Sequence, residues 1–160
     1  MNKETIKNIF DFLKEKEGKK HKYQDTLRWK LIFNEPLTEE ELDIKGSLFL
    51  EHSSITYLPK GLKVSGHLNL SYTFKLKSLP NDLDVKGDIY LEGSKITSLP
   101  EGLKVGGHLD LFESDIEFLP KGLEVGENLD ISNTELTKYT DKELRDMIKP
   151  GIIRGFIYRL

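Results

Sequence analysis

In residues 61–70, GLKVSGHLNL, the apolar residues Leu62, Val64, Leu68 and Leu70 alternate with polar ones. A period of two sends successive side chains to opposite faces, so the pattern predicts a strand with one buried face. The same columns return at Leu83, Val85, Ile89 and Leu91, and again at Leu103, Val105, Leu109 and Leu111. They return because the chain is a repeat. Leu58-Pro59, Leu79-Pro80, Leu99-Pro100 and Leu119-Pro120 follow one another at intervals of 21, 20 and 20 residues, and a unit without its Leu-Pro precedes them near Leu42. No single unit can close a core. Stacked units give a continuous one, which predicts a solenoid of parallel strands about 4.8 Å apart.

The remaining columns predict how each coil turns. Proline fixes its own φ and drives the preceding residue to an extended conformation. Two residues on, Gly61, Gly102 and Gly122 permit positive φ, and Asp82 holds this place in the third unit. Gly46, Gly66, Gly87 and Gly107 interrupt the strand pattern and predict a bend or a close approach of neighbouring backbones, while Glu127 breaks that column in the last unit. A short hydroxyl follows each strand at Ser53, Thr73, Ser94, Ser114 and Thr134, which predicts a hydroxyl ladder bonding between coils. A coil of twenty residues has no room for a full helix as well as a strand and two corners, so its back is expected to be extended or 3₁₀.

The phrase L-x-L-x-x-[S/T]-x-[I/L]-x-x-L-P resembles the leucine-rich repeat, in which Asn or Cys usually holds the hydroxyl place, and most of all its short bacterial form with Leu-Pro corners. The resemblance covers about residues 40–139 and departs in the upstream half, which reads L-x-V-x-G; a parallel β-helix cross-section stays open. It implies a leucine-rich-repeat-like solenoid that presents a strand face to a partner protein. By analogy with bacterial and phage versions, the target is a host or defence protein that the chain affects or inhibits.

Both ends predict α-helical caps, which divides one structural domain into residues 1–39, 40–139 and 140–160. Residues 2–18 read as an amphipathic helix with Ile6, Ile9, Phe10 and Leu13 on one stripe. The stretch TLRWKLIFNEP fits either strand or helix and is taken as a second short helix, with Trp29 in the core. Thr140 and Glu143 make a capping box before DKELRDMIK, Pro150-Gly151 ends that helix, and the apolar IIRGFIYRL is expected to cover the last coil.

Charge changes the picture modestly. The net charge is −3, but residues 1–36 hold nine Lys/Arg against six Asp/Glu, whereas residues 99–146 hold five against twelve. The acidic half could steer a basic partner, although an ordinary solvated surface is the simpler reading. With no cysteine there is no disulfide or thiolate metal site. No apolar run is long enough to span a bilayer, and the first residues lack the features of a secretion signal, so a cytoplasmic protein is expected.

The outward columns carry the candidate chemistry. One reads Ser47, His67, Asp88, His108, Asn128; the next Phe49, Asn69, Tyr90, Asp110, Asp130; the next Glu51, Ser71, Glu92, Phe112, Ser132. They vary from coil to coil while the inward columns do not, which suggests a surface free to be tailored. His67, Asp88 and His108 bear metal-ligand atoms, but two coils separate the histidines and no metal or other cofactor is expected. Asp88, Glu92, Asp110 and Asp130 could supply the paired carboxylates of glycoside hydrolysis, but without a pocket to hold sugar, and no base accompanies the repeated hydroxyls as nucleophiles. The face lacks the basic stripe that nucleic acid binding needs. The expected role is therefore non-enzymatic protein binding, with Phe49, Tyr90 and Phe112 as anchors and Asp110, Asp130, Glu92, His67 and His108 around them. The alternatives are a carbohydrate-binding or carbohydrate-active solenoid and a structural subunit, and a monomer is preferred over a homodimer.

Overall fold

The computed structural model describes the backbone of residues 22–160 and the side chains from Leu27 onward. The predicted helix over residues 2–18 lies outside the described residues. The chain from residue 43 is a parallel β-solenoid with two six-stranded sheets. Sheet A contains β1 (Asp43–Ile44), β3 (Lys63–Val64), β5 (Asp84–Val85), β7 (Lys104–Val105), β9 (Glu124–Val125) and β11 (Ile152–Ile153). Sheet B contains β2 (Leu48–Phe49), β4 (Leu68–Asn69), β6 (Ile89–Tyr90), β8 (Leu109–Asp110), β10 (Leu129–Asp130) and β12 (Ile157–Tyr158).

The single strand predicted for each coil is thus two short strands folded at the glycine column. The reason is contact between successive coils. A Cβ on Gly66 would come within 2.6 Å of Ser47 Oγ, and one on Gly87 within 2.7 Å of the Gly66 carbonyl oxygen. At these two rungs the lack of a Cβ lets the bent backbones stack this closely, although Glu127 makes the same main-chain bond to the coil below. In the last repeat, Gly126 adjoins Glu127, and Gly155 restores the glycine place on the rung above.

Periodicity placed the core correctly. Leu62, Val64, Leu68 and Leu70 are buried, as are their equivalents in the coils above. A third side without strands adds Ile55, Leu76, Ile96 and Ile116, together with the leucines of the Leu-Pro pairs. Each fully buried leucine contributes about 1.5–3 kcal/mol relative to exposure, and stacking buries all of them against one another.

The corners follow the predicted chemistry except at Asp82. Gly61, Gly102 and Gly122 have φ of 76°, 70° and 73°, but Asp82 is not among the left-handed residues. Its carboxylate instead accepts the N–H of Gly61 at 3.0 Å, so the side chain bonds the turn of the coil below.

At the ends, α1 (Lys22–Ile32) buries Leu27 and Leu31 in the core. Trp29 is not a core residue as expected; it is 37 % exposed and stacks on Phe33 one helical turn away, at 5.1 Å between ring centroids. After a 3₁₀ turn (Glu135–Lys138), α2 (Asp141–Met147) begins with the predicted capping box of Thr140 and Glu143. The closing segment pairs β11 with β9 and β12 with β10, adding a further rung to both sheets. Among the described residues no helix is long and apolar enough to cross a membrane.

Candidate functional site

The two outward columns of sheet B have different physical roles. The first lies at the bend. His67 N–H donates to Ser47 Oγ at 3.0 Å and Asp88 N–H to His67 Nδ1 at 3.0 Å. His108 N–H donates to Asp88 Oδ1 at 2.7 Å, Asn128 N–H to His108 Nδ1 at 3.3 Å and Phe156 N–H to Asn128 Oδ1 at 2.9 Å. Serine, histidine, aspartate and asparagine do one job here. Each offers a short-armed acceptor to the main chain of the next coil, where the bend interrupts the strand ladder. The variation expected of a tailored surface is, in this column, variation among acceptors.

His108 Nε2 lies 2.8 Å from Glu127 Oε2, so the neutral Nε2–H tautomer serves both contacts. His67 Nδ1 also lies 2.9 Å from Asp88 Oδ2. It can accept the Asp88 N–H or, when protonated, donate to the carboxylate, but not both. Burial alone would raise the Asp88 carboxyl; the His108 N–H, the Tyr90 hydroxyl and the two imidazoles hold it below its ordinary value. The same environment, burial first and the Asp88 carboxylate second, pushes Tyr90 up.

The second column lies at the corner that leaves sheet B. The side-chain oxygens of Asn69, Asp110 and Asp130 accept the N–H two residues on, at Ser71, Phe112 and Ser132, over 2.8–3.0 Å. Such Asx turns shape the corner from within one coil. The next residues turn left-handed at His52, Tyr72, Gly93, Glu113 and Asn133. Glycine is required only at Gly93, where a Cβ would come 2.6 Å from the Tyr72 ring. The hydroxyls that follow turn inward to their own coils. Ser53, Thr73, Ser114 and Thr134 donate to the carbonyl three residues back at 2.5–2.7 Å, and Ser94 Oγ is buried without a partner among the described residues. The predicted ladder between coils is corrected accordingly: at a tight corner the nearest carbonyl belongs to the same coil, and it accepts both the hydroxyl and that residue's own N–H, the latter at 3.0–3.3 Å.

The site residues expected from the sequence separate into three groups. His67, His108 and Tyr90 meet at Asp88, which was not among them, with the His67 and Tyr90 rings 6.4 Å apart. Asp110 and Asp130 lie on the paired strands β8 and β10 and Glu92 in the turn after β6, forming an acidic group, and none of the three makes an ion pair among the described residues. Burial raises the Asp110 carboxyl, and the Asp130 and Glu92 charges add to the rise against the Phe112 N–H. Phe49 is 48 % exposed at the first coil, separated from Tyr90 by Asn69, whereas Phe112 is half-buried in the adjoining column.

Sequence reasoning missed an aromatic group at the corner. His52 stacks on Tyr72 at 4.9 Å, Phe74 meets the Tyr72 ring edge at 6.3 Å, and the Tyr72 hydroxyl donates to Glu92. Phe74 is 57 % exposed. The only signal in the sequence is aromatic residues at the corner positions of adjacent units, which period-two reading leaves unassigned. On sheet A, a shallow groove of about 280 Å³ runs over Gly106 and Gly126. Its lysines are neutralised by Lys86–Asp84 and Lys104–Glu124 pairs, both at 2.8 Å, and Arg154 is the remaining cation on its lining. No family model, curated protein or solved structure matches this chain.

Proposed function

We propose that the chain is a non-enzymatic protein-binding module that receives a basic partner on the sheet B face. The observation that carries this reading is the Glu92, Asp110 and Asp130 group. Burial and the neighbouring charges raise the Asp110 carboxyl, and no cation among the described residues pairs with the group. A lysine or arginine from a partner would relieve the repulsion. Phe74 at the corner next to Tyr72, and Phe49 on the first coil, supply exposed apolar anchors of the kind that binding hot spots use. Tyr90 and Phe112 contribute less area, being half-buried. His67 and His108 enter as supports of the strand face through the bend ladder.

In this reading the coil is a variant of the leucine-rich repeat whose strand is folded at glycine, used as a binding surface in the manner of that family. Action on a host or defence protein is the analogy's extension of the same role. The test is capture of partners by the wild type, by a Glu92→Gln/Asp110→Asn/Asp130→Asn variant and by a Phe49→Ser/Phe74→Ser variant, each with folding verified by circular dichroism. A partner held by wild type, lost from both variants and weakened by added salt supports the proposal. A partner held equally by all three overturns it. A sugar that protects wild type against heat, with no protein captured, would favour the carbohydrate-binding reading, for which the His52–Tyr72 stack is the natural platform.

A further inference from the structure

The outward columns of the solenoid are polar or mixed along the coils and turn apolar on the final rung. On sheet A the column Asp43, Lys63, Asp84, Lys104, Glu124 ends in Ile152. The bend column ends in Phe156, and the column containing Asp110 and Asp130 ends in Tyr158. Leu160 follows beside Ser132. Phe156 is 73 % exposed, Tyr158 46 % and Leu160 98 %, so these side chains do not serve the core.

Strand β12 is also an edge. The carbonyls of Phe156, Tyr158 and Leu160 accept the N–H groups of Leu129, Ile131 and Asn133 at 2.9, 2.9 and 3.3 Å. In a parallel ladder the alternate residues face the other way, so the main-chain groups of Ile157 and Arg159 point outward, and none has a partner among the described residues. The neighbouring edge is treated differently: Arg145 of α2 donates to the carbonyls of Ile153 and, at 2.9 Å, Gly155. The Arg159 side chain is committed to the Tyr139 carbonyl and Asp141. Edges are ordinarily guarded by charge, proline or a bulge. The outward face of β12 instead carries three apolar side chains.

We propose that β12 pairs antiparallel with β12 of a second copy of this chain. The edge is self-complementary in one register, with the twofold axis through Tyr158. Ile157 then exchanges both main-chain hydrogen bonds with Arg159 of the second copy, and Arg159 with its Ile157. Tyr158 faces Tyr158 as a non-hydrogen-bonded pair, and Phe156 faces Leu160 on each side. Every outward cross-strand pair is apolar, and every outward main-chain group of the two residues is satisfied. A contact with the first coil would instead set this face against Ser47, Phe49 and Glu51. Aromatic side chains bury roughly 150–250 Å² each when fully covered, so this face offers on the order of 400 Å² per copy. Two copies together would cover at most about 800 Å², the size of weak, transient contacts, so the main-chain bonds of the edge must carry much of the association and the expected dimer is weak.

Sedimentation equilibrium of the 160-residue chain over about 5–500 µM tests the proposal, with folding checked by circular dichroism. The expected result is a monomer–dimer equilibrium that Tyr158→Arg weakens at least tenfold by opposing like charges on the axis. Because the chain has no cysteine, register can be tested separately. Residues opposed in a non-hydrogen-bonded pair have Cα atoms about 4.5 Å apart, within disulfide reach, so Tyr158→Cys should cross-link on mild oxidation much faster than Phe118→Cys at a similarly exposed site. A monomer at every concentration overturns the proposal. So does a dimer indifferent to Tyr158→Arg, growth into open-ended assemblies, or equal cross-linking at both cysteines.

Discussion

The bend and the corner flank the same short strands of sheet B, yet they use polar side chains in opposite ways. At the bend, each acceptor reaches across to the next coil, and carboxylate alternates with imidazole and neutral groups. At the corner, Asx oxygens and hydroxyls bond inside their own coil, and Asp110 sits against Asp130 with no cation paired to either among the described residues. The bend therefore staples coils together and spreads its charge. The corner shapes each coil singly and stacks like charges. A variable polar column is thus no guide to a free surface: the bend varies as much in residue type as the corner column and is the more constrained of the two.

The largest expected effect breaks the staple. Asp88→Ala leaves the His108 N–H without an acceptor and removes the partner of Tyr90, and should cost about 2–3 kcal/mol in urea unfolding. Asp88→Asn keeps an acceptor oxygen and should cost well under half of that; equal losses would mean that charge and not the N–H bond matters. A smaller effect separates corners from one another. Thr73→Ala should cost about 1–2 kcal/mol through its lost bond to the Leu70 carbonyl, whereas Ser94→Ala, which removes a buried hydroxyl without a partner, should be neutral or stabilising. Similar losses at both would break the assignment of the hydroxyls to their own coils.

The smallest effect is in pH dependence, and its sign differs between the two regions. The Asp88 carboxyl is lowered in the fold, so its contribution is present above the ordinary aspartate value and is lost as pH falls through the lowered one. The Asp110 carboxyl is raised, so the fold favours its protonated form, and stability is lost as pH rises from the ordinary value through the raised one. Asp110→Asn keeps the acceptor for Phe112 and should raise the melting temperature by a few degrees at neutral pH, with the gain vanishing below the ordinary aspartate range. Thermal melts at several pH values check this; a gain that grows in acid would reverse the assignment.

The repeat, its inward leucines and the glycine bend were legible in the sequence because each recurs at a fixed interval and has one dominant physical meaning. Burial of Leu62, Val64, Leu68 and Leu70 follows from alternation alone, and positive φ at Gly61, Gly102 and Gly122 from the Leu-Pro corner. Of the candidate site, the residues of the strand columns were placed correctly in register. Their hydrogen-bonding roles were not, and the His52–Tyr72–Phe74 group went unseen, because a corner residue has no period to betray its direction.

Spacing along one strand was enough to say which side chains enter the core and where the chain turns, since hydrophobic burial is non-directional and follows from which face a residue lies on. The partner of each polar atom was settled only when the coils stacked. That choice depends on distances between coils: whether the nearest N–H or carbonyl lies one rung away, as for His67 and Asp88, or three residues back, as for Thr73. Hydrogen bonds act over about 3 Å with strict direction, so no one-dimensional pattern can assign them before the coils are in place.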